Sequence, residues 1–318
     1  MGRLFFETRR VRCDRCGRRH PVIEMPALDF SPCPKCGFNI FAPMAVADFM
    51  LYEPIGAGGF ASVYKALRDG AGGRVFAVKV LRRDKLHDEE AIATFTAETE
   101  THRRIRTHPG IVGFVAGGCE DGEYYYAMEY VEGVRLKRRL DQGGRIPEPE
   151  ALAIFAQVLD AVKHVRDCGF LYRDVNAGNV MLRAGGGATL IDFGLAVPIS
   201  EAGKPVQGRH IWGTAEFIPP ERLCQAGENE ASVIYSLGML LYYMLNGKTF
   251  FNAQTASGTA QRHLSAARLV VGRSLLPHSS EEVVRLLDAM IKQDPAERPQ
   301  TFEEVADALA GIMPEKGR

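Results

Sequence analysis

The sequence predicts an α+β fold in which a strand-rich segment precedes a longer helical one, with a small metal-binding segment in front. Three observations lead there: two Cys-x-x-Cys-Gly knuckles near the start, alternating apolar residues broken by glycine turns from Phe49 to Val80, and helix-spaced apolar residues after Gly133. With 318 residues, 46% of them hydrophobic, the chain can bury a large core and hold more than one unit. Lysine plus arginine equals aspartate plus glutamate at 39 each, so no global field points to nucleic acid or to a membrane surface.

The first segment carries Cys13-Asp-Arg-Cys16-Gly and Cys33-Pro-Lys-Cys36-Gly, with sixteen residues between the pairs. That spacing is expected of a four-cysteine zinc site, and the glycine after each pair lets the backbone turn so that amides face the thiolates. The repeated knuckle resembles a zinc ribbon, placed at residues 1–45, in which Cys13, Cys16, Cys33 and Cys36 hold a structural Zn²⁺ with no open position for catalysis. A segment this short builds little core, so the metal is expected to supply its folding energy. Arg9, Arg10, Arg12, Arg15, Arg18 and Arg19 around it could meet nucleic acid or an acidic protein surface, or form a solvated face. The solvated face is the reading adopted, with a protein partner rather than nucleic acid as the ribbon's candidate contact. Of the seven cysteines, Cys119, Cys168 and Cys224 have no such spacing and are expected to be packing residues.

No signal peptide is expected, because charge interrupts the run Met1 to Glu7 before an apolar core develops, and a cytoplasmic, reducing location is predicted. The longest apolar stretch, Val233 to Leu245, is too short to span a bilayer and is stopped by Asn246-Gly247, so it reads as a buried helix.

Strands and hairpins are predicted from Phe49 to Val80 with a turn at Gly70-Ala71-Gly72-Gly73, a helix from Glu89 to Arg106, and strands near 112–116 and 124–130. Pro147-Glu148-Pro149-Glu150 opens a helix whose Leu152, Phe155, Leu159 and Val162 share a face. The same spacing recurs at Val283, Leu286, Leu287 and Met290, and at Phe302, Val305 and Leu309.

Chemistry concentrates in three places. The run Ile55-Gly56-Ala57-Gly58-Gly59-Phe60-Ala61-Ser62-Val63 lies between strand-like runs, and a glycine-rich hairpin lets backbone N–H groups approach phosphates. Val75-Phe76-Ala77-Val78-Lys79-Val80 is an apolar strand with one lysine that can pair with those phosphates. Tyr172-Arg173-Asp174-Val175-Asn176-Ala177-Gly178-Asn179 is followed thirteen residues later by Asp192-Phe193-Gly194. Two carboxylates and an amide in that order match what phosphoryl transfer asks: a proton acceptor near the attacking hydroxyl and oxygen ligands for Mg²⁺.

Together with Met128-Glu129-Tyr130-Val131, Gly213 to Glu221 and Asp294-Pro-Ala-Glu-Arg298-Pro, these motifs resemble the eukaryotic-like Ser/Thr protein kinase superfamily as found in bacteria, from about Phe49 to about Met313. The resemblance implies a kinase domain over residues 46–314, with a sheet-rich small lobe (about 46–131), a helical large lobe (about 132–314) and ATP between them. By resemblance, Asp174 orients the acceptor hydroxyl and takes its proton, Asn179 and Asp192 bind Mg²⁺, and Lys79 holds the α- and β-phosphates. The brace of Lys79 is Glu98 or Glu100, and Phe95-x-x-Glu98 fits the family pattern. Ile55 to Phe60 cover the nucleotide, Met128, Glu129 and Val131 form the hinge, and Val63, Ala77 and Met181 sandwich the adenine. Arg298 is expected to pair with Glu221.

The chain departs from the family at Asn176, where Ser/Thr kinases carry a lysine on the transferred phosphate, and at Val233, where an aspartate normally ties down the catalytic loop. Ala61 stands for the third glycine and Tyr172 for histidine. Two readings follow: an ATP-dependent kinase acting on Ser/Thr hydroxyls of protein substrates, to which Thr214 points, or an ATP-binding pseudokinase scaffold with weak or no transfer. Between Gly194 and Gly213 the lone hydroxyl is Ser200, so loop phosphorylation is not the expected switch, and Trp212 is expected to dock the loop.

Overall fold

Each cysteine knuckle sits at the turn of a short antiparallel hairpin: β1 (Arg10–Arg12) pairs with β2 (Arg19–Pro21), and β3 (Phe30–Pro32) with β4 (Asn39–Phe41). Gly17 and Gly37 take left-handed backbone, φ 71° and 70°, which closes both turns with an N–H bonded to the carbonyl of Cys13 or Cys33. This computed structural model describes residues 10–21, 25, 28–205, 213–265 and 270–313. Arg9 and Trp212 lie outside the described residues. The chain divides into two compact units, Met1–Arg103 with Gly113–Tyr130, and Arg104–Val112 with Val131–Arg318.

The first unit is built on a six-stranded antiparallel sheet of β5 (Met44–Val46), β6 (Phe49–Ala57), β7 (Ala61–Arg68), β8 (Val75–Leu81), β9 (Phe114–Glu120) and β10 (Glu123–Glu129). The spatial order is β5-β6-β7-β8-β10-β9. Alternation along the strands buries Phe49, Leu51, Tyr64, Ala66, Phe76, Val78, Val80, Tyr125 and Ala127 in one cluster. Helix α1 (Glu89–Arg104) carries the buried Phe95 and Glu98. It ends two residues before the predicted Arg106. The strand predicted from Val112 starts at Phe114 instead: Val112 belongs to the second unit, where its N–H bonds to the Leu190 carbonyl and the Leu190 N–H to the Gly110 carbonyl, a pairing no local pattern encodes.

In the second unit the strands are short: β11 (Gly133–Arg135), β13 (Val180–Arg183) and β14 (Ala188–Leu190) form one sheet, and β12 (Phe170–Leu171) pairs with β15 (Val197–Pro198). Helices supply the mass: α2 (Leu136–Gly143), α3 (Glu148–Asp167), α4 (Ile199–Ala202), α5 (Pro220–Leu223), α6 (Glu230–Asn246), α7 (Ala256–Ser265), α8 (Glu281–Met290) and α9 (Phe302–Ile312). The predicted faces of α3, α8 and α9 are the buried ones. Helix α6 is apolar all round and buried from Ala231 to Leu245, as a central helix must be. A capping box of Asn229 and Ser232 opens it, and Gly247, φ 75°, closes it. Arg166 ties α3 to Glu230 of α6 at 3.1 Å and to Glu303 of α9 at 2.7 Å. No helix among the described residues is long and apolar enough to cross a membrane. The three spare cysteines are not core residues: Cys119 and Cys224 are exposed and Cys168 is half-buried, since a strand end and helix termini leave them facing outward.

Helix α7 contributes a histidine that the sequence did not single out. His263 is fully buried, with Nδ1 2.7 Å from the Tyr235 hydroxyl and its ring edge-on to Phe251 at 4.6 Å. Burial pulls its pKa down to about 4. The folded protein therefore keeps His263 neutral where the unfolded chain, titrating near about 6.5, takes up a proton. The stability this contributes is present above about 6.5 and is lost as pH falls toward about 4, by at most about 1.4 kcal/mol per pH unit. Denaturant unfolding of wild type and His263→Gln across that window is expected to show a shallower pH slope in the variant; equal slopes would remove His263 from the account.

Candidate active site

The glycine-rich run becomes the tip of the β6–β7 hairpin, where Ala57 opposes Ser62 and the Gly58 N–H bonds to the Ala61 carbonyl at 2.8 Å. Ile55 is exposed, and Gly58 and Gly59 face solvent. Register then fixes the neighbours: Val63 on β7 opposes Lys79 on β8, and Ala77 opposes Met128 on β10. Glu129 ends β10 with its carboxylate 2.6 Å from Arg74.

Lys79 reaches Glu98 of α1, Nζ to Oε1 at 2.5 Å, with the Glu98 side chain only 1% exposed. Glu100, the other candidate brace, points away and pairs with Arg103 on the surface. A second partner was not foreseen: the Tyr126 hydroxyl donates to the same Glu98 oxygen at 2.5 Å. His102, one turn after Glu98, meets the Tyr126 ring edge-on with centroids 5.8 Å apart. A buried carboxylate held by a cation and a hydroxyl is a fixed anchor for that cation.

In the second unit, β12 leads into the segment Tyr172 to Asn179, β13 follows it, and β14 leads into Asp192-Phe193-Gly194. Tyr172 and Phe193 are buried and meet edge-on at 5.6 Å, packing the bases of the two segments together. Asn179 donates its amide to Asp174 Oδ2 at 2.7 Å and to the Asp174 carbonyl at 3.1 Å. Thr214 Oγ1 lies 3.5 Å from the other carboxylate oxygen. Burial, followed by the charge of Asp192, raises the Asp174 pKa above its ordinary value. Asp192 Oδ1 accepts from the Gly194 N–H at 2.9 Å.

With the nitrogen of Asn179 turned to Asp174, its carbonyl end remains for a hard cation, and Asp192 offers a carboxylate. Oxygen donors of this kind fit Mg²⁺. Asn176 does not project outward as the family lysine would: it is 5% exposed, its amide donating to the Asp174 carbonyl at 3.2 Å and its oxygen accepting from the Gly178 N–H at 2.8 Å. Val131 and Met181 belong to this unit, Met181 opposing Arg135 across β13 and β11.

Downstream, Arg298 donates to both oxygens of Glu221, at 2.7 and 3.1 Å, with its side chain 0% exposed, the predicted pair. Sequence reasoning missed Glu228, whose carboxylate accepts from Arg173 and Arg222. Only its place two residues ahead of the helix that begins at Glu230, and six after Arg222, hinted at it.

The four ribbon thiols form a separate candidate metal centre. All four Sγ atoms lie within 4.8 Å of one another, with Cys13–Cys36 and Cys16–Cys33 each at 3.6 Å. Tetrahedral Zn²⁺ with bonds of about 2.3 Å separates its sulfurs by about 3.8 Å, so the donor set fits zinc. The nearby His20 Nε2 is 3.3 Å from Cys33 Sγ, a neighbour that can steady that sulfur.

A protein kinase domain model matches residues 49–309. The chain is 32% identical over 259 residues to serine/threonine-protein kinase PrkC of Bacillus subtilis, covering 81% of this chain and 39% of that protein. It is 30% identical over 238 residues to the probable serine/threonine-protein kinase PknB of Lactococcus lactis, covering 74% and 38%. With PknA of Mycobacterium tuberculosis it shares 31% identity over 269 residues, covering 83% and 61%. The chain thus spans about two fifths of the length of the first two relatives. The glycine hairpin, Lys79, Glu98, Asp174, Asn179 and Asp192 all fall inside the matched residues, and the chain belongs to the protein kinase family.

Proposed function

We infer that this chain is an ATP-dependent protein kinase that transfers the γ-phosphoryl group to Ser/Thr hydroxyls of protein substrates. The observation that carries the reading is the fixed carboxylate of Asp174, one oxygen held by Asn179 and the other facing Thr214. A raised pKa suits a group that accepts a hydroxyl proton as the bond to phosphorus forms, because proton transfer is most efficient when the acceptor is not too weak a base. Asp174 orients and deprotonates the acceptor hydroxyl. Lys79, held by Glu98, pairs with the α- and β-phosphates, and the amides from Ile55 to Phe60 cover them. Val63, Ala77 and Met181 enclose the adenine, with Met128, Glu129 and Val131 beside it. Asn179 and Asp192 would hold Mg²⁺, which supplies charge neutralisation at the phosphates. Cys13, Cys16, Cys33 and Cys36 would hold a structural Zn²⁺ in a ribbon at residues 1–45, ahead of a kinase domain at 46–314 in two lobes, about 46–131 and 132–314. We place the protein in the cytoplasm, with the ribbon as the contact for a protein partner.

The alternative, an ATP-binding pseudokinase scaffold, draws on one observation. Asn176 uses both ends of its amide inside its own loop, so position 176 brings no cation to the transferred phosphate.

Asp174→Asn and Asp192→Asn are each expected to lower Mg²⁺-dependent phosphoryl transfer by at least about a hundredfold without unfolding the protein. Transfer to a protein acceptor and release of ADP are the readouts. Equal turnover in a folded Asp174→Asn protein would reject the assignment, and no turnover in wild type would favour the scaffold.

Protein purified without chelator is expected to contain about one zinc per chain. Cys33→Ser should release the metal and unfold the ribbon while the kinase domain, which has its own core, still melts cooperatively. Zinc-free wild-type protein with an ordered ribbon would end this assignment.

A further inference from the structure

Position 233 in α6 is a buried valine, so no carboxylate rises from that point of the helix. A carboxylate stands instead just ahead of the helix. The Glu228 side chain is 0% exposed and both its oxygens are engaged. Oε1 accepts from Arg173 through Nε at 2.7 Å and through Nη2, and also from Arg222 Nε at 3.0 Å. Oε2 accepts from Arg222 Nε at 3.0 Å and Nη2 at 2.6 Å. The same Arg222 Nη2 donates to the Arg173 carbonyl at 2.8 Å. The backbone of Glu228 is fixed in turn by its N–H to the Ala202 carbonyl, 2.8 Å.

Arg173 immediately precedes Asp174. Its side chain is held by Glu228 and its carbonyl by Arg222, so the peptide entering Asp174 is gripped from both sides. Asn176 and Asn179 grip the Asp174 carbonyl that leaves it. Glu228 also separates two guanidiniums that are largely buried, the Arg173 and Arg222 side chains being 15% and 7% exposed. Without that negative charge the two cations would repel, and the loop would have no reason to stay in place. Because Arg173 already has a carboxylate partner, its order does not depend on an added phosphate.

We propose that Glu228, bridging Arg173 and Arg222, is the positioning residue that orients the loop around Asp174 and makes phosphorylation between Gly194 and Gly213 unnecessary for that order. Glu228 thereby takes the place of the carboxylate missing at Val233. The effect on catalysis rests on the kinase reading above; the effect on loop order does not.

The test uses the full chain after phosphatase treatment, with ADP release at varied ATP and with deuterium exchange of backbone amides. Glu228→Gln is expected to lower kcat about tenfold or more while KM for ATP stays within about twofold, because Asp174 is misplaced and the nucleotide contacts are not. Amides of residues 170–180 should exchange faster in that variant, and Glu228→Asp, which keeps the charge, should recover part of both losses. Ser200→Ala, at an exposed position whose side chain takes no part in this clamp, should stay within about twofold of wild type. A folded Glu228→Gln protein with unchanged kcat overturns the proposal, as does a parallel rise in KM with no recovery in Glu228→Asp, which would mark a packing defect. If Glu228→Gln does not fold, Glu228→Asp and Arg222→Lys decide by the same two readouts. If wild type shows no turnover, the kinase reading fails by itself: faster exchange confined to residues 170–180 in Glu228→Gln then upholds the clamp, and unchanged exchange removes it.

Discussion

Burying charge is the constraint on which the helical unit depends. A carboxylate taken out of water costs several kcal/mol unless opposite charge and hydrogen bonds replace its hydration, and removing one partner of a buried pair is far more damaging than removing both. Glu221 meets that cost with Arg298, and Glu228 with Arg173 and Arg222. Glu221 and Arg222 are neighbours on the short helix α5, so two buried ion clusters share one turn of backbone. Glu228 lies low of the ordinary carboxylate range: burial alone would raise it, and the two arginines more than offset that. The geometry of the loop around Asp174 is thus set by the need to leave none of these charges alone.

The sheet unit solves a related problem on a smaller scale. The Lys79 side chain is 13% exposed, while the Glu98 that anchors it is almost wholly buried. The Tyr126 hydroxyl gives Glu98 a second donor, and the Lys79 ammonium lies 5.7 Å from the Tyr126 ring centroid. One aromatic side chain thereby supports both members of the pair. The polar His102 has a place in the same arrangement, packed between Tyr126 and Phe114.

What was legible in the sequence follows from how local each signal is. The β6–β7 hairpin, the helix faces of α3, α8 and α9 and the cysteine knuckles rest on periods and spacings within a few residues, and these are found where expected. Lys79, Asp174, Asn179 and Asp192 could be singled out as candidates because chain order places them in a recognised series. The start of β9 was not legible, since Ile111 and Val112 pair with Leu190 across a long stretch of chain. Nor was Glu228: a glutamate in a short polar loop reads as solvated, and only the fold brings Arg173, 55 positions away, against it. Position 176 shows what a motif alone leaves out. Asn176 marks an absent lysine, and in the fold it also closes the loop on itself.

The ribbon's cysteines lie ahead of the residues matched to the protein kinase domain. Its attachment is nevertheless physical rather than a mere tether. The Leu28 N–H bonds to the Ala42 carbonyl, Phe41 stacks on Tyr64 of β7 at 5.9 Å, and β5, which follows directly, pairs with β6 in register from Met44–Leu51 to Val46–Phe49. A strand added at that point covers what would otherwise be an open edge at β6, the side of a sheet most prone to unwanted pairing. The cysteine hairpins therefore lead straight into the outermost strand of the sheet that carries Lys79.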